Sequence, residues 1–378
     1  MEVPLPVTSV FDTIVLIPSL HPNHLLTEYA EALIREGFLH IVIVDDGSGP
    51  DEKYQSIFRQ LDSLAQCVVI GYPGNRGKGY ALKHGLRYIA EQFPEAPGVV
   101  TADSDGQHTA PDLIKVASGL KDKPRSLMLG SRNFNQINVP RKSRWGNRLT
   151  AFFFLLLYGQ WLPDTQTGLR AFSSELIPFM LKVPGDRFEY EMNMLIYCSG
   201  EKIPFEVIPI DTIYLQENKS SHFRALHDSA RIYKQLFGNF FKYASSSLLS
   251  FLLDIALFTL LDRWLLGAIF GDLLRGADAG GYLHTYAAAG IARVASSLFN
   301  FMVNKRFVFQ AKQVNGAVVR YALLAVFSLS VSALLTNLLF NALRINKSVI
   351  KALLDTVLYF FNYRVQKAWV FKLRKAQN

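Results

Sequence analysis

Two carboxylates, an amide and an imidazole are packed into Asp103-Ser-Asp-Gly-Gln-His108, directly after the mostly apolar run Gly98-Val-Val-Thr-Ala102. A short apolar run bounded by turn residues reads as a buried strand, so the acids fall at its end. Asp103, Asp105 and Gln107 alternate, which presents their oxygens on one side of a turn, as hard ligands are offered to a divalent cation. Magnesium or manganese suits that set, and each also takes phosphate oxygens. The competing reading is a helix cap, because Thr109-Ala-Pro-Asp112 has the composition of a helix start.

Two further segments could act with these acids. Val42-Ile-Val-Asp-Asp-Gly-Ser48 ends another strand in the pair Asp45 and Asp46, suited to accepting hydrogen bonds from a nucleotide base or ribose. Gly74-Asn75-Arg76-Gly77-Lys78-Gly79 precedes a helix, and its glycines and two cations suit a diphosphate approaching the backbone. The segment matches neither the phosphate loop ending in Gly-Lys-Ser/Thr nor Gly-x-Gly-x-x-Gly. Nucleotide phosphorylation and dinucleotide redox chemistry are thereby disfavoured.

The elements that must position these residues alternate in type. Strand-like runs at Thr13 to Pro18, His40 to Asp45, Cys67 to Gly71, Gly98 to Asp103 and Ser126 to Gly130 are separated by helical patterns near Asn23 to Glu36, Glu52 to Gln66, Lys78 to Gln92 and Pro111 to Leu120. That rhythm predicts βαβ units around a mainly parallel sheet, whose ligands sit beyond the carboxyl ends of the strands. With 378 residues, 50% of them hydrophobic, the chain exceeds what one core usually holds.

Beyond about residue 238 the pattern changes to four long apolar segments, approximately 240–262, 283–304, 318–341 and 348–370, each near the length that crosses a bilayer. Lys351 and Asp355 interrupt the fourth. An internal repeat lays Asn300-Phe-Met-Val-Asn-Lys-Arg-Phe-Val-Phe309 over Asn362-Tyr-Arg-Val-Gln-Lys-Ala-Trp-Val-Phe371, and Lys242-Tyr-Ala244 over Arg320-Tyr-Ala322. Two copies of a helical hairpin in parallel repeat are expected, because two spans separate equivalent positions. Lys242, Lys305, Arg306, Arg320, Arg364 and Lys367 cluster at the outer ends of the hairpins, which predicts cytosolic termini. This anchoring accounts for much of the net charge of +9 and leaves no need for a nucleic-acid partner. Asp254, Arg293 and Asp355 fall at or near intramembrane depth, where an ionisable residue implies pairing or function. Two cysteines, Cys67 and Cys198, show no metal or disulfide spacing, so a reducing compartment is expected.

Taken as a set, Asp45-Asp-Gly-Ser48, Gly74 to Gly79, Asp103 to His108, Gly130-Ser-Arg132 and Asp164-Thr-Gln-Thr-Gly-Leu-Arg-Ala-Phe172 resemble family-two glycosyltransferases of GT-A fold, in the dolichol-phosphate mannose synthase branch. The four-span half resembles the GtrA-like membrane domain fused to that branch in prokaryotes. The resemblance implies a Rossmann-like α/β GT-A domain over 1–235 and an all-α transmembrane domain over 236–378, with its catalytic part on the cytosolic face of a plasma membrane. It further implies inverting transfer of a hexose from a nucleotide sugar, of GDP-mannose or UDP-glucose type, to a polyprenyl phosphate, with Mg2+ or Mn2+. Asp103, Asp105 and Gln107 would hold the metal. Pro18, Asp45, Asp46, Asn75, Lys78 and Asp103 would line the donor, and Arg132 with Arg141 or Arg144 would receive the acceptor phosphate. Glu191, in Arg187-Phe-Glu-Tyr-Glu191, would read sugar hydroxyls, unless it is a helix-start acid. Lys219 and His222, in Gln216 to Arg224, would close over the phosphates. Arg141-Lys-Ser-Arg-Trp145 departs from the Gln-x-x-Arg-Trp of processive synthases, which argues for single transfer. A different lipid or glycan acceptor, a carrier role for the membrane half, and a homo-oligomer through it stay open.

Overall fold

The computed structural model describes residues 9–136, 139–211, 225–265, 283–311 and 314–371. The chain divides into two compact units, Met1–Leu236 and Phe237–Asn378.

The first unit is built on a seven-stranded sheet: β1 (Ile14–Ser19), β2 (Ile41–Asp45), β3 (Cys67–Gly71), β4 (Gly98–Thr101), β5 (Leu127–Arg132), β6 (Arg170–Ser173) and β7 (Phe205–Ile210). Their order across the sheet is β3-β2-β1-β4-β6-β5-β7. The first four run parallel and β5 pairs parallel with β7, but β6 lies antiparallel between β4 and β5. That inserted strand was not expected from the βαβ rhythm. It runs against its neighbours because the chain enters it at the edge where β4 and β5 end, so Arg170 pairs with both Thr101 and Leu129.

The helices form where the sequence supplies caps. Asn23 accepts from the Leu25 N–H at 2.9 Å to start α1 (His24–Glu36), which ends at Gly37 in the left-handed region. Asp51 caps α2 (Glu52–Asp62), which stops short of the expected Gln66. Thr109 accepts from the Asp112 N–H at 3.2 Å, and with Pro111 in the first turn it starts α4 (Ala110–Asp122). The cap that competed for the 103–108 segment is therefore Thr109, and Asp103 and Asp105 are left for other work. The remaining helices are α3 (Lys78–Gln92), α5 (Arg141–Tyr158), the short α6 (Ile177–Met180) and α7 (Glu189–Glu201). The core joins the sheet to α1, α2 and α4 through Val15, Ile17, Leu26, Leu33, Ile43, Leu61, Val100 and Leu113, all buried. Each contributes about 1.5–3 kcal/mol by leaving water. Cys67 and Cys198 are buried free thiols, pushed up to about 11 and about 12 chiefly by that burial.

The second unit is helical: α8 (Ala225–Leu260, beginning in the first unit), α9 (Leu283–Val303), α10 (Ala317–Leu343) and α11 (Lys347–Val365). Among the described residues three stretches are long and apolar enough to cross a membrane, Ala230–Trp264, Thr285–Val308 and Ala317–Leu343. The expected fourth span is helical but is not one of them. Its 19-residue α11 carries Lys351 and Asp355, paired with each other at 2.9 Å.

The sequence repeat has a structural counterpart. Both repeat segments close in a π-helical turn, Asn304–Val308 and Gln366–Val370. The equivalent residues meet: the Asn304 amide donates to Gln366 Oε1 at 3.1 Å, and Phe309 stacks on Phe371 with centroids 5.1 Å apart. Asn300 donates to Ser250 at 3.0 Å in one half, and Ser328 donates to Asn362 at 2.7 Å in the other. Asn304→Leu removes the donor and leaves the Gln366 amide oxygen buried, at an expected cost of about 1–3 kcal/mol. Asn304→Leu with Gln366→Leu should cost less than the sum of the two single changes, measured by denaturant unfolding of the full chain in detergent.

Candidate active site

The carboxyl ends of β1, β2, β4 and β5 and the start of β6 fall along one edge of the sheet, and the chemistry-bearing residues gather there. Asp103 and Asp105 stand just past β4. The Asp103 side chain needs room at the start of β6, and Gly168 provides it: a Cβ at that position would lie 2.5 Å from both Asp103 oxygens. Thr101 donates to the Gly168 carbonyl at 2.8 Å and holds that approach in place. Buried His108 accepts the Asp103 N–H at Nδ1, 3.2 Å away, and so closes the turn. Burial pulls its pKa down, leaving the ring neutral at pH 7. Gln107 donates its backbone N–H to Asp105 at 3.1 Å.

Lys78 is the cation of the site. Its Nζ lies 2.6 Å from Asp103 and 2.9 Å from Glu191, and all three side chains are mostly buried. Burial alone would lift the Asp103 carboxyl, but Lys78, with Arg132, holds it well below the usual carboxylate range. Burial would likewise lower Lys78, yet Asp103 and Glu191 hold it above the ordinary lysine value. Among the described residues no ion pair reaches Asp105. Burial and the charge on Asp103 push it up to about 6. The pair is thus short of positive charge on the Asp105 side, and its ligands are hard oxygens. Both properties fit a divalent cation, which Asp103 and Asp105 would share with the phosphates of a substrate.

The glycine-rich segment behaves differently from expectation. Asp46, 4% exposed, accepts the Arg76 N–H at 2.9 Å, the Gly77 N–H at 3.0 Å and the Tyr72 hydroxyl at 2.7 Å. The protein's own carboxylate therefore takes the backbone donors expected to meet a diphosphate, and Asp46 anchors the loop in place of a nucleotide contact. Gly77, at φ +105°, lets the loop turn into α3 against the Asp186 carbonyl, which a Cβ would meet at 2.5 Å. Arg76 donates to the Tyr80 hydroxyl at 2.6 Å, and Asn75 is exposed. Asp45 is partly exposed and accepts the Ser48 N–H at 2.8 Å through Oδ1. Pro18 is buried within β1, beside Val44. The Ala102 N–H bonds to the Leu16 carbonyl, the last link to β4, so Pro18 faces the departing end of that strand and its missing N–H leaves no ladder bond unmade.

Arg132, at the end of β5, is gripped by the fully buried Asp164, with Nε at 2.7 Å and Nη2 at 3.1 Å from the two carboxylate oxygens. Arg144 does not stand ready for a phosphate. It donates to the Phe134 carbonyl at 2.8 Å and the Gln136 carbonyl at 2.7 Å, because the loop after β5 leaves those oxygens without ladder partners. Arg141, at the start of α5, is exposed. Lys219 and His222 lie outside the described residues.

Asp164 and Arg170 had no role from sequence. Arg170 is 1% exposed, at the start of β6, and donates to the Glu191 carbonyl at 2.6 Å and the Thr167 carbonyl at 3.0 Å. It pins the first turn of α7, which brings the Glu191 carboxylate to Lys78. The signal was a charge within the apolar run Leu169-Arg-Ala-Phe172.

Residues 14–178 match the family model for glycosyl transferase family 2, and residues 242–371 match that for the GtrA/DPMS transmembrane domain. An uncharacterized protein of Methanocaldococcus jannaschii is 30% identical over 210 residues, covering 54% of this chain and 83% of that one. The chain belongs to glycosyl transferase family 2. This glycosyltransferase is a membrane protein with a GtrA/DPMS transmembrane domain. It is 28% identical to the UDP-N-acetylglucosamine–dolichyl-phosphate N-acetylglucosaminyltransferase of Methanococcus voltae, over 53% of this chain and 85% of that one. It is 24% identical to the human dolichyl-phosphate beta-glucosyltransferase, over 47% of this chain and 57% of that one.

Lys78→Ala strands two mostly buried carboxylates and should cost about 3–5 kcal/mol in thermal unfolding of metal-free protein. Added Mg2+ or Mn2+ should restore part of the loss. Gly168→Ala should leave the fold intact at a cost of about 1–3 kcal/mol while displacing Asp103, so weakened divalent-cation affinity by calorimetry is its signature.

Proposed function

We propose that this glycosyltransferase moves a hexose from a nucleotide sugar to a polyprenyl phosphate at the cytosolic face of the membrane, inverting the anomeric centre. One observation carries the reading. A charge-compensated acid cluster, Asp103 and Asp105 with Lys78 and Glu191, stands at the strand ends of a chain that also holds a membrane unit. Relatives named for dolichyl-phosphate acceptors support the acceptor class. The basic residues at the outer hairpin ends support the cytosolic placement.

Asp103, Asp105 and Gln107 would hold Mg2+ or Mn2+. A cation bound there would offset the charge that gathers on the departing nucleoside diphosphate. The other steps belong to side chains. Asp45 accepts from the nucleoside, and Asn75 serves it from the exposed loop before α3. Glu191 accepts from sugar hydroxyls, and Lys78, bonded to it, keeps Asp103 ionised. Arg132 and Arg141 orient the acceptor phosphate, and Asp164 fixes the Arg132 fork so that the guanidinium has one attitude. That phosphate is an anion at neutral pH, so no side chain need remove a proton from it. Its oxygen bonds to the anomeric carbon as the bond to the diphosphate breaks. Positioning and electrostatics then carry most of the rate.

Reconstituted full-length protein with labelled sugar nucleotide and polyprenyl phosphate tests this. Transfer should need a divalent cation, and Asp103→Ala or Asp105→Ala should lower it by about 100- to 1,000-fold. Undiminished transfer by the double variant in chelator overturns the reading. Arg141→Ala should raise the KM for the lipid phosphate about tenfold and leave the KM for the donor unchanged, the loss of one charge-assisted contact.

A further inference from the structure

One tyrosine hydroxyl lies buried beside the acid turn with nothing to donate to. Tyr29, on α1, is 6% exposed, and among the described residues no group bonds to its Oη. Buried polar atoms are nearly always paired, so an orphan of this kind marks strain, chemistry or a ligand. Its surroundings say which. Helix α1 packs on α4, and Tyr29 belongs to the buried cluster that takes in Ala102, just before the acid turn, and Ala110 and Leu113, just after it. The charges that reach the hydroxyl are those of Asp103, Asp105 and Asp112. Burial first, and then those three carboxylates, hold its pKa well above the ordinary tyrosine value. At neutral pH it is therefore a proton donor and cannot act as a base.

The bonds that the three acids already make separate them as acceptors. Asp112, fully buried, takes the Thr109 hydroxyl at 2.7 Å, the Asp211 N–H at 3.2 Å and the Lys115 ammonium at 3.1 Å. Asp103 has the Lys78 ammonium at 2.6 Å. Asp105 differs from both. Among the described residues it accepts only the Gln107 N–H, at 3.1 Å, and no ion pair reaches it. An ionised carboxylate has about four lone-pair sites, so most of the capacity of Asp105 is open. Carboxylates that ligate a metal are themselves hydrogen-bonded by a second layer of side chains, which fixes their orientation. For Asp105 the available side chain is Tyr29.

We propose that Tyr29 is a positioning residue of the divalent-cation site: its hydroxyl donates to the Asp105 carboxylate and holds it in the attitude that shares a cation with Asp103. The bond is not made in the structure described, so it forms together with cation binding. The inference rests on the proposed cation site at Asp103 and Asp105. It adds to that site a group from α1 that acts through Asp105 rather than on either substrate.

Tyr29→Phe removes the hydroxyl and keeps the ring. Its effect is read by calorimetry of Mn2+ binding to metal-free, full-length protein in nanodiscs, with no substrate present. The variant should bind Mn2+ about 10- to 100-fold more weakly than the wild type. Its thermal midpoint without the ion should be unchanged or raised, because an unpaired buried hydroxyl has been removed. In hexose transfer, the half-saturating Mn2+ concentration should rise by a like factor. Thr27→Val is the control, since Thr27 is buried on the same helix and its hydroxyl also has no partner among the described residues. That variant should keep the wild-type affinity for Mn2+. An unaltered affinity in Tyr29→Phe overturns the proposal. So does an equal loss in Thr27→Val, or a thermal midpoint of Tyr29→Phe that falls along with the affinity, because either makes the hydroxyl a matter of helix packing. Wild-type protein that takes up no Mn2+ overturns the acid site and the part of the tyrosine in it together. Normal wild-type binding with Tyr29→Phe unchanged overturns only the part of the tyrosine.

Discussion

Two carboxylates at the end of one strand repel each other, and the catalytic unit is arranged to keep them there. Asp103 stays ionised chiefly because Lys78 reaches it from the start of α3, and Gly168 leaves the space its side chain fills. Asp105 is pushed up to about 6 by burial and by the charge on Asp103. The imbalance makes the cluster receptive to a cation arriving with phosphates. It also explains why neighbouring elements are tied down so heavily. Thr101, His108 and Arg170 each spend hydrogen bonds on the backbone around the acids.

The same economy governs the loop that precedes α3. Anion-binding loops usually offer backbone N–H groups to a ligand. Here Asp46 takes those of Arg76 and Gly77, and the loop becomes a rigid bracket that aims Lys78 inward. A carboxylate at the end of β2 thus helps to set where a lysine at the start of α3 reaches the acids beyond β4. In the membrane unit the constraint is reversed, since polar groups there have no water to return to. The repeat meets it by pairing equivalent residues, Asn304 with Gln366 across the halves and serine with asparagine within each.

Much of this was legible before any coordinates. The strands to Asp45 and toward Asp103, the cap at Thr109, the helix beginning at Lys78 and the hairpin repeat all follow from local periodicity and capping chemistry. Other features were not. The antiparallel β6 has no local signature, because four residues cannot announce their direction. Arg144 and Arg132 look alike in sequence, yet one is spent on the carbonyls of Phe134 and Gln136 while the other is aimed by Asp164.

The sequence by itself determined the inventory: acids at strand ends, a glycine-rich turn before a helix, long apolar segments in two copies. These are properties of neighbours along the chain, where backbone sterics and hydrophobic period act. Only the tertiary structure decided the assignments, that Asp46 serves the loop, that Lys78 and Glu191 join Asp103, and that Asn304 meets Gln366 across the two repeats. Those contacts join residues far apart in the chain. Which carboxylate keeps its charge or its ligand depends on distances that no spacing in the sequence encodes.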